Sequence, residues 1–397
     1  MIDVTSLDAA FFSFSSNVIT LFNKAPSQMR FLAPALVKKM SVLPVSSGKI
    51  NEHEIHSLTT TILAMFIVQN YGVAVFFCII TMLCWGSWAN TQKLAGKTWR
   101  FELFYWDYVL GILLFSILSA FTLGSMGDKG RHFLDDLHQA DPGNIGSALL
   151  GGVIFNAANI LFSAAIAIAG MAVAFPVAIG LALVLGVLVN YYASQKGSPV
   201  FIFAGVALVA VAIVLNALAY RRASTGNQKL SSKGIIISLV AGVLMSFFYR
   251  FIAASMDLDN FELPAAGKMT PYTAVLVFSV GIFLSNFIFN TLLMKKPLQG
   301  TPTGYAAYFK GSFPTHMVGV LGGIIWGIGN SLNLIAAGQA GTAISYGLGQ
   351  GATLVAALWG VFIWKEFKNA PQGTGRLITA MFLFFITGLG LLIYAGL

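Results

Sequence analysis

The sequence contains few charged residues. Of its 397 residues, 9% are Asp, Glu, Lys or Arg, whereas 57% are hydrophobic. Soluble domains carry about 25% charged residues, so this supply cannot cover a water-exposed surface. The shortage of charge therefore excludes an ordinary soluble protein and indicates a chain whose surface faces lipid.

Several kinds of site chemistry are also missing. The two cysteines, Cys78 and Cys84, are six residues apart in one apolar run, a spacing unsuited to a metal pair or a disulfide. The five histidines show no metal-ligand spacing. A phosphate-binding loop of the form G-x-x-x-x-G-K-[ST] is absent, which argues against ATP-driven transport by this chain. We expect a protein that is not an enzyme and that binds no cofactor or metal.

Long apolar runs fill most of the chain. A helix needs about 20 mostly apolar residues to cross a bilayer, whereas barrel strands are about ten residues long with strict alternation. The runs are continuous and long, so we predict an all-α integral membrane protein with ten transmembrane helices. The predicted segments are residues 67–90, 104–124, 144–169, 172–195, 199–220, 234–256, 271–294, 313–338, 341–364 and 376–397.

Residues 1–64 differ from this pattern. They carry scattered charged residues, Ser and Pro, and their apolar stretch Leu32–Val37 is too short to span a bilayer. No cationic start precedes a long apolar core, so a signal peptide is not expected. Two interpretations stay open: a disordered N-terminal extension, or a start codon assigned too far upstream. The second is slightly favoured, because Met65 lies directly before the first predicted segment.

The basic residues lie in the gaps between the apolar runs. The formal net charge is +9, but no basic patch alternates with exposed aromatics, so nucleic-acid binding is not expected. Lys and Arg in short loops mark the cytoplasmic side, and one set of alternate loops is predicted to lie there. That set holds Lys93, Lys97, Arg100, Arg221, Arg222, Lys229, Lys233, Lys295, Lys296, Lys310, Lys365, Lys368 and Arg376, and the other set holds Lys129, Arg131, Lys196 and Lys268.

An internal repeat divides the apolar core. The stretch 151–159, which reads GGVIFNAAN, matches the stretch 322–330, GGIIWGIGN, at an offset of 171 residues. Further matches at this offset pair the third and fourth segments with the eighth and ninth. The predicted organisation is a first five-helix repeat over 65–222, a short cytoplasmic linker over 223–233 and a second repeat over 234–397. An odd number of helices per repeat inverts the second copy, as in many secondary transporters.

Polar residues inside the apolar segments are candidates for binding, because each is costly in lipid. Asn159 and Asn330 match in the repeat, and we expect them to face each other across a pseudo-twofold axis. Their carboxamides can bond a neutral ligand through donors and acceptors, although hydrogen bonds between helices are an equally weighted alternative. Indole rings can stack on a flat ring or sugar face or form an aromatic belt. The candidate substrate-binding residues are Trp85, Trp88, Asn159, Asn330, Asn333 and Gln350.

Charged residues inside the segments are rarer still. Asp107 is the candidate proton-coupling residue, because it is the one clear carboxylate there, with an interfacial position in an aromatic belt as the alternative. Arg250 lies towards the outer end of the sixth segment, where it can snorkel to water, bind a ligand or pair with a carboxylate. Glu366 ends the ninth segment and is expected to pair with loop cations.

Several of these stretches are similar to a known family. The stretch 85–94, WGSWANTQKL, resembles the first helix of the glucose/ribose porter group in the drug/metabolite transporter superfamily. Trp106-Asp107-Tyr108 is similar to the start of the second helix in plant ureide permeases, and residues 322–366 resemble their C-terminal portion. Asp107, Asn159, Asn330 and Glu366 fall on family-like positions.

The resemblance covers residues 67–397. It implies ten helices in two five-helix halves and proton-coupled uptake of ureides, nucleobases or monosaccharides. Plant members carry a long central cytosolic loop, whereas the segment Arg221–Lys233 is short here, which suits a compact bacterial member.

The sequence thus predicts a secondary active transporter of a bacterial inner membrane, working by alternating access. Its predicted partners are a small polar solute, a proton and the lipid bilayer, with no nucleic acid. The alternatives are an exporter of small metabolites or drugs, and a membrane sensor or assembly subunit that transports nothing.

Overall fold

The structure is a computed structural model that describes residues 68–96, 99–125, 131–223, 231–368 and 370–397. Ten of the helices there are long and apolar enough to cross a membrane, which confirms the predicted all-α architecture. The predicted N-terminal extension, 1–64, lies outside the described residues. Spans 1 to 10 are Tyr71–Ala95, Phe101–Phe121, Pro142–Ala169, Phe175–Ala193, Pro199–Ala223, Ser232–Ala254, Pro271–Lys295, Phe313–Ala340, Thr342–Ile363 and Thr374–Tyr394.

Three spans are not continuous α-helices. Span 1 is divided at Trp88 into the helices Tyr71–Ser87 and Ala89–Ala95. Span 4 begins with a π-helical turn, Phe175–Ile179, that follows a short helix, Met171–Ala174, and continues as Gly180–Ala193. Span 9 consists of the helices Thr342–Gln350 and Ala352–Leu358 and a π-helical turn, Trp359–Ile363. π-Helical turns are frequent at functional sites, and both of these occur in the spans that the sequence repeat matches.

Short elements complete the described chain. A helix over Phe133–Gln139 lies between spans 2 and 3, and a helix over Tyr305–Tyr308 lies between spans 7 and 8. The described residues contain no β-strand, and an isolated bridge joins Met256 to Met269.

Span 1 extends further than the sequence predicts, to Ala95 rather than to residue 90. Its last turns contain Asn90, Thr91 and Gln92, polar residues that are unfavourable on a helix surface in contact with lipid. All three are buried inside the protein, and the Gln92 side chain donates a hydrogen bond to the Ser163 carbonyl at 2.9 Å. A polar helix end is tolerated in a membrane protein when neighbouring helices satisfy it.

The packing of the first five spans is repeated by spans 6 to 10, when each span is compared with the one five places later. Span 3 packs along spans 6 and 7, and span 8 packs in the same way along spans 1 and 2. Span 4 contacts span 6 as span 9 contacts span 1. The pairs 2 and 7, 4 and 9, and 5 and 10 also contact each other. Each of the two repeat-matched regions therefore lies against helices of the other half.

Two helix crossings use glycine in the same way. A Cβ atom on Gly152 of span 3 would lie 2.1 Å from the Phe278 carbonyl oxygen on span 7. Its repeat partner Gly323 of span 8 lies equally close to the Tyr108 carbonyl oxygen on span 2, where a Cβ would be 2.0 Å away. Small residues let helix backbones approach in this way when packing drives association in lipid.

Spans 3 and 8 share their length and their ending. Each helix contains 28 residues, and each ends at a glycine with positive φ, Gly170 at 80° and Gly341 at 81°. Glycine takes this conformation at no steric cost. Gly341 is the only residue between spans 8 and 9, so these two helices form a hairpin with a one-residue joint.

The loops alternate between two faces of the bundle. The basic face carries the C-terminal ends of the odd-numbered spans. The opposite face, called the acidic face here, carries the C-terminal ends of the even-numbered spans. Its loops contain Asp135, Asp136, Asp141, Asp257, Asp259 and Glu262. Side-chain bonds to backbone join the two halves on the acidic face: the Lys196 ammonium donates to the Gly338 carbonyl at 2.6 Å, and the Asp136 carboxylate accepts from the Thr270 amide at 2.7 Å. The assignment of the basic face to the cytoplasm stays a prediction.

Candidate functional site

A small cavity lies between the spans of both halves. It brings together four of the six candidate binding residues from distant parts of the chain: Trp85, Trp88, Asn159 and Gln350. The remainder of its lining is apolar or aromatic, and no charged side chain contributes. The lining residues are Trp85, Trp88, Phe155, Asn159, Phe162, Ile179, Met245, Phe248, Trp326, Gln350 and Ala352.

Aromatic rings form one wall of the cavity. The indoles of Trp85 and Trp326 are nearly parallel, with centroids 5.9 Å apart and planes inclined by 8°. Phe155 packs against Trp326 at 4.2 Å between centroids and against Phe248 at 5.2 Å. The Trp85 indole nitrogen is buried and has no hydrogen-bond partner. The wall therefore offers flat apolar surface.

Asn159 supplies a carboxamide to the cavity, and hydrogen bonds to Tyr105 and on to Asn156 orient it. Its Nδ2 donates to the Tyr105 hydroxyl at 3.3 Å, and that hydroxyl donates to Oδ1 of Asn156 at 3.0 Å. All three residues are at most 1% exposed. Gln350, the last residue of the first helix of span 9, supplies a second carboxamide.

The other two candidate asparagines lie outside this lining. Asn333 donates from Nδ2 to the Ser345 carbonyl at 2.8 Å, which ties span 8 to span 9. Asn330 is 1% exposed, and neither polar atom of its side chain has a hydrogen-bond partner. Asn159 and Asn330, which match in the sequence repeat, thus occupy different environments.

Asp107 lies near the basic face, in a cluster formed by Asp107, Trp99, Tyr308 and His316. Its Oδ1 accepts from the Tyr308 hydroxyl at 2.7 Å and lies 2.8 Å from Nδ1 of His316. Its Oδ2 accepts from the Trp99 indole at 3.2 Å. The carboxyl group is 1% exposed, and Asp107 does not belong to the cavity lining.

The Tyr308 hydroxyl, which belongs to the loop between spans 7 and 8, remains a donor to this cluster. Burial raises the pKa of Tyr308 above its usual value, and the hydrogen bond and charge of Asp107 raise it further. A tyrosine with a raised pKa keeps its proton at physiological pH, so its hydroxyl remains able to donate to Asp107.

Glu366 and Arg250 lie apart from both sites. Glu366 forms an ion pair with Lys93 at 2.8 Å and accepts from the Tyr220 hydroxyl at 3.0 Å. It borders a second, smaller cleft that Asn216 and Thr353 also line. Arg250 is exposed on the outer surface of span 6, so its side chain contributes to neither the cavity nor this cleft.

Sequence reasoning missed several residues of these sites. Trp326, Phe155 and Phe248 resemble ordinary lipid-facing residues. Phe155 and Trp326, however, lie at matching positions of the repeated stretches, which was a usable signal. His316 and Tyr308 are about 200 residues from Asp107 in the chain, with separations of 209 and 201. Across the described part of the chain, no group of three His, Cys, Asp or Glu residues is placed to hold a metal ion.

Comparison with known proteins identifies the family. The ureide permease family model matches residues 104–233 and 214–395. The chain is 23% identical to "Ureide permease 1" and 24% identical to "Ureide permease 2" of Arabidopsis thaliana, over 83% of this chain and 98% of each relative. A solved crystal structure covers 80% of this chain and 95% of its own at 15% identity, with a TM-score of 0.51, which is a likeness of fold alone.

A shorter match reaches another kind of membrane protein. "Transmembrane protein 144 homolog A" of Dictyostelium discoideum is 28% identical over 41% of this chain and 40% of its own length. The family model, by contrast, accounts for most of the ten spans. The chain belongs to the ureide permease family.

Proposed function

We propose that this protein is a secondary active transporter that imports a small, neutral, polar solute of the ureide class. The observation that carries the proposal is the central cavity, where aromatic rings and two carboxamides meet without a charged side chain. Ligand sites combine a mainly apolar wall with a few polar groups that fix orientation. The plant relatives, which are named ureide permeases, support the same solute class.

The chemistry of a ureide suits this cavity. The ring of a cyclic ureide such as hydantoin is flat and carries alternating N–H donors and carbonyl acceptors, with no net charge. Its plane can lie on the indole of Trp85, and its polar edge can meet the carboxamides of Asn159 and Gln350, which offer both donors and acceptors. A nucleobase has the same features, whereas a monosaccharide offers a weaker stacking face and is the second solute class of this proposal.

We further propose that the two halves are inverted five-helix repeats that produce alternating access. The shared length of spans 3 and 8, their matched glycine endings and the exchange of packing partners support this relation. Transporters of this design bind solute between the repeats and rock one half against the other. The cavity takes lining residues from both halves, which supports this proposal.

Asp107 is our proposed coupling residue for a proton. A buried carboxylate inside a membrane protein is costly, and its partners indicate its use. The partners of Asp107 are the Trp99 indole before span 2, the Tyr308 hydroxyl before span 8 and the His316 ring on span 8. Protonation would remove its charge and change which of these groups it can bond, which would alter the contact between spans 2 and 8.

Two finer assignments accompany this function. Placement in the drug/metabolite transporter superfamily and in a bacterial inner membrane follows from the resemblance of the stretch 85–94 and from the short segment Arg221–Lys233. These assignments stay predictions, because the relatives described above are plant and Dictyostelium proteins.

The test is uptake into liposomes that contain the purified protein, with an imposed inward proton gradient. Radiolabelled allantoin, uracil and glucose would be compared, with empty liposomes and a gradient-collapsing protonophore as controls. Gradient-dependent accumulation of allantoin or uracil is the expected result. Accumulation of glucose alone would assign the protein to sugar uptake.

Failure of all three solutes to accumulate would contradict the proposed function. Efflux from preloaded liposomes would then favour the exporter, and the absence of both transport and binding would favour a sensor or assembly subunit.

A further inference from the structure

A chain of hydrogen bonds leads from the cavity to the backbone of span 7. It begins at Nδ2 of Asn159, passes through the Tyr105 hydroxyl to Oδ1 of Asn156, and continues from Nδ2 of Asn156 to the Ser285 hydroxyl at 2.9 Å. The Ser285 hydroxyl donates to the Gly281 carbonyl at 2.7 Å. The chain thus joins spans 2, 3 and 7, and every side chain in it is buried.

Two backbone carbonyls set the direction of the chain in this structure. The Ser285 hydroxyl lies 2.7 Å from the Gly281 carbonyl and 3.0 Å from the Ile282 carbonyl, both of which only accept. With its single proton directed to these carbonyls, Ser285 accepts from the NH₂ group of Asn156, and Oδ1 of Asn156 is turned towards Tyr105. The Tyr105 hydroxyl donates its proton to Oδ1 of Asn156. Towards Asn159, the Tyr105 oxygen can therefore only accept a hydrogen bond.

A reversed Asn159 amide would place two acceptors against each other. Its Oδ1 would then face a Tyr105 oxygen whose proton is already used. An unpaired polar group inside a protein of low dielectric is destabilising. With the NH₂ group of Asn159 held towards Tyr105, we assign its carbonyl oxygen as the group that Asn159 presents to the cavity.

We propose that Tyr105 is a positioning residue that makes the cavity selective for solutes with an N–H donor at the Asn159 position. The inference rests on the proposed function and deepens it. A free asparagine accepts or donates equally well, whereas Asn159 in this chain presents an acceptor. Solutes that offer only an acceptor or a methylene group at that point leave the oxygen unpaired and bind more weakly.

The test measures binding to the purified full-length protein by quenching of tryptophan fluorescence, since Trp85 and Trp88 line the cavity. Hydantoin, a cyclic ureide, would be compared with succinimide, in which one ring N–H is replaced by CH₂, and with 3-methylhydantoin, which lacks the other. In the wild type, at least one analogue is expected to bind roughly tenfold more weakly than hydantoin.

Two variants then test the positioning role. Tyr105→Phe removes the hydroxyl that holds Asn159, and the preference for hydantoin is expected to fall below about threefold, because the amide can turn. Ser285→Ala removes the link to Gly281 and is expected to give a smaller reduction. Tyr272→Phe is the matched control: it removes a buried tyrosine hydroxyl that makes no hydrogen bond, and the wild-type preference is expected to persist.

The outcomes separate this inference from the proposed function. Equal binding of hydantoin and both analogues by the wild type would overturn the selectivity and leave ureide transport standing. An unchanged preference in Tyr105→Phe and Ser285→Ala would overturn the positioning role. If Tyr105→Phe fails to fold, as judged by its melting temperature, Ser285→Ala alone decides. No binding of hydantoin or uracil by the wild type would instead contradict the proposed function itself.

Discussion

The central cavity and the Asp107 cluster differ in chemistry as well as position. The cavity is neutral and aromatic, with carboxamides from spans 3 and 9, whereas the Asp107 cluster is a buried carboxylate with a histidine, a tyrosine and a tryptophan near the basic face. No residue belongs to both. The contrast suggests that solute recognition and energetic coupling are carried out by separate groups, so variants of each should have separable effects.

The largest expected effect is on coupling. Asp107→Asn keeps the size and most hydrogen-bonding capacity of the side chain but removes the titrating group. A gradient of one pH unit supports about tenfold accumulation of a solute that moves with one proton. We expect this variant to show none, while exchange of labelled for unlabelled allantoin continues without a gradient. Loss of exchange together with accumulation would show that Asp107 also serves solute binding.

Next in size is the expected effect on recognition. Asn159→Ala removes the carboxamide from the cavity wall and leaves Tyr105 without its donor. Solute affinity should fall roughly tenfold, with the ratio of accumulation to exchange unchanged at saturating solute. Asn190→Ala is the matched control, because Asn190 is also buried but donates to Gly186 of its own helix. Equal losses in both variants would indicate a general defect of folding.

A moderate effect is expected at Asn330, the repeat partner of Asn159. Both of its amide atoms are buried without partners, so Asn330→Ala should not lower the melting temperature, since replacing an unpaired polar group is close to neutral. If the carboxamide contacts solute in another state of the cycle, uptake falls a few-fold. Unchanged uptake would remove Asn330 from the site.

The smallest effect is expected for the ion pair outside both regions. Lys93 and Glu366 retain 34% and 25% side-chain exposure, and pairs with this access to water contribute about 1 kcal/mol or less. Lys93→Gln should therefore shift the melting temperature by a few degrees at most and leave affinity unchanged. A large loss of uptake would instead make the pair part of the transport cycle.

The ten spans could be predicted because each is a long apolar run, and length together with hydropathy is what a bilayer requires. The end of span 1 could not, because hydropathy does not distinguish a polar residue in lipid from one such as Gln92 that a neighbouring helix satisfies. The sequence also drew attention to Asn159 and Asp107 by their polarity. It did not reveal that Tyr105 contacts Asn159 or that His316 lies beside Asp107, since these contacts depend on how distant helices pack.

The one-residue joint at Gly341 has a practical consequence for labelling the protein. Spans 8 and 9 have no slack between them, so an inserted tag or fluorophore at this point would force the two helices apart. The first part of the chain between spans 7 and 8, residues 296–303, precedes Tyr308 of the Asp107 cluster and offers a longer tether for such a label. Because the joint is one residue long, we expect spans 8 and 9 to move together, and a spectroscopic probe attached near the hairpin would report the movement of both helices.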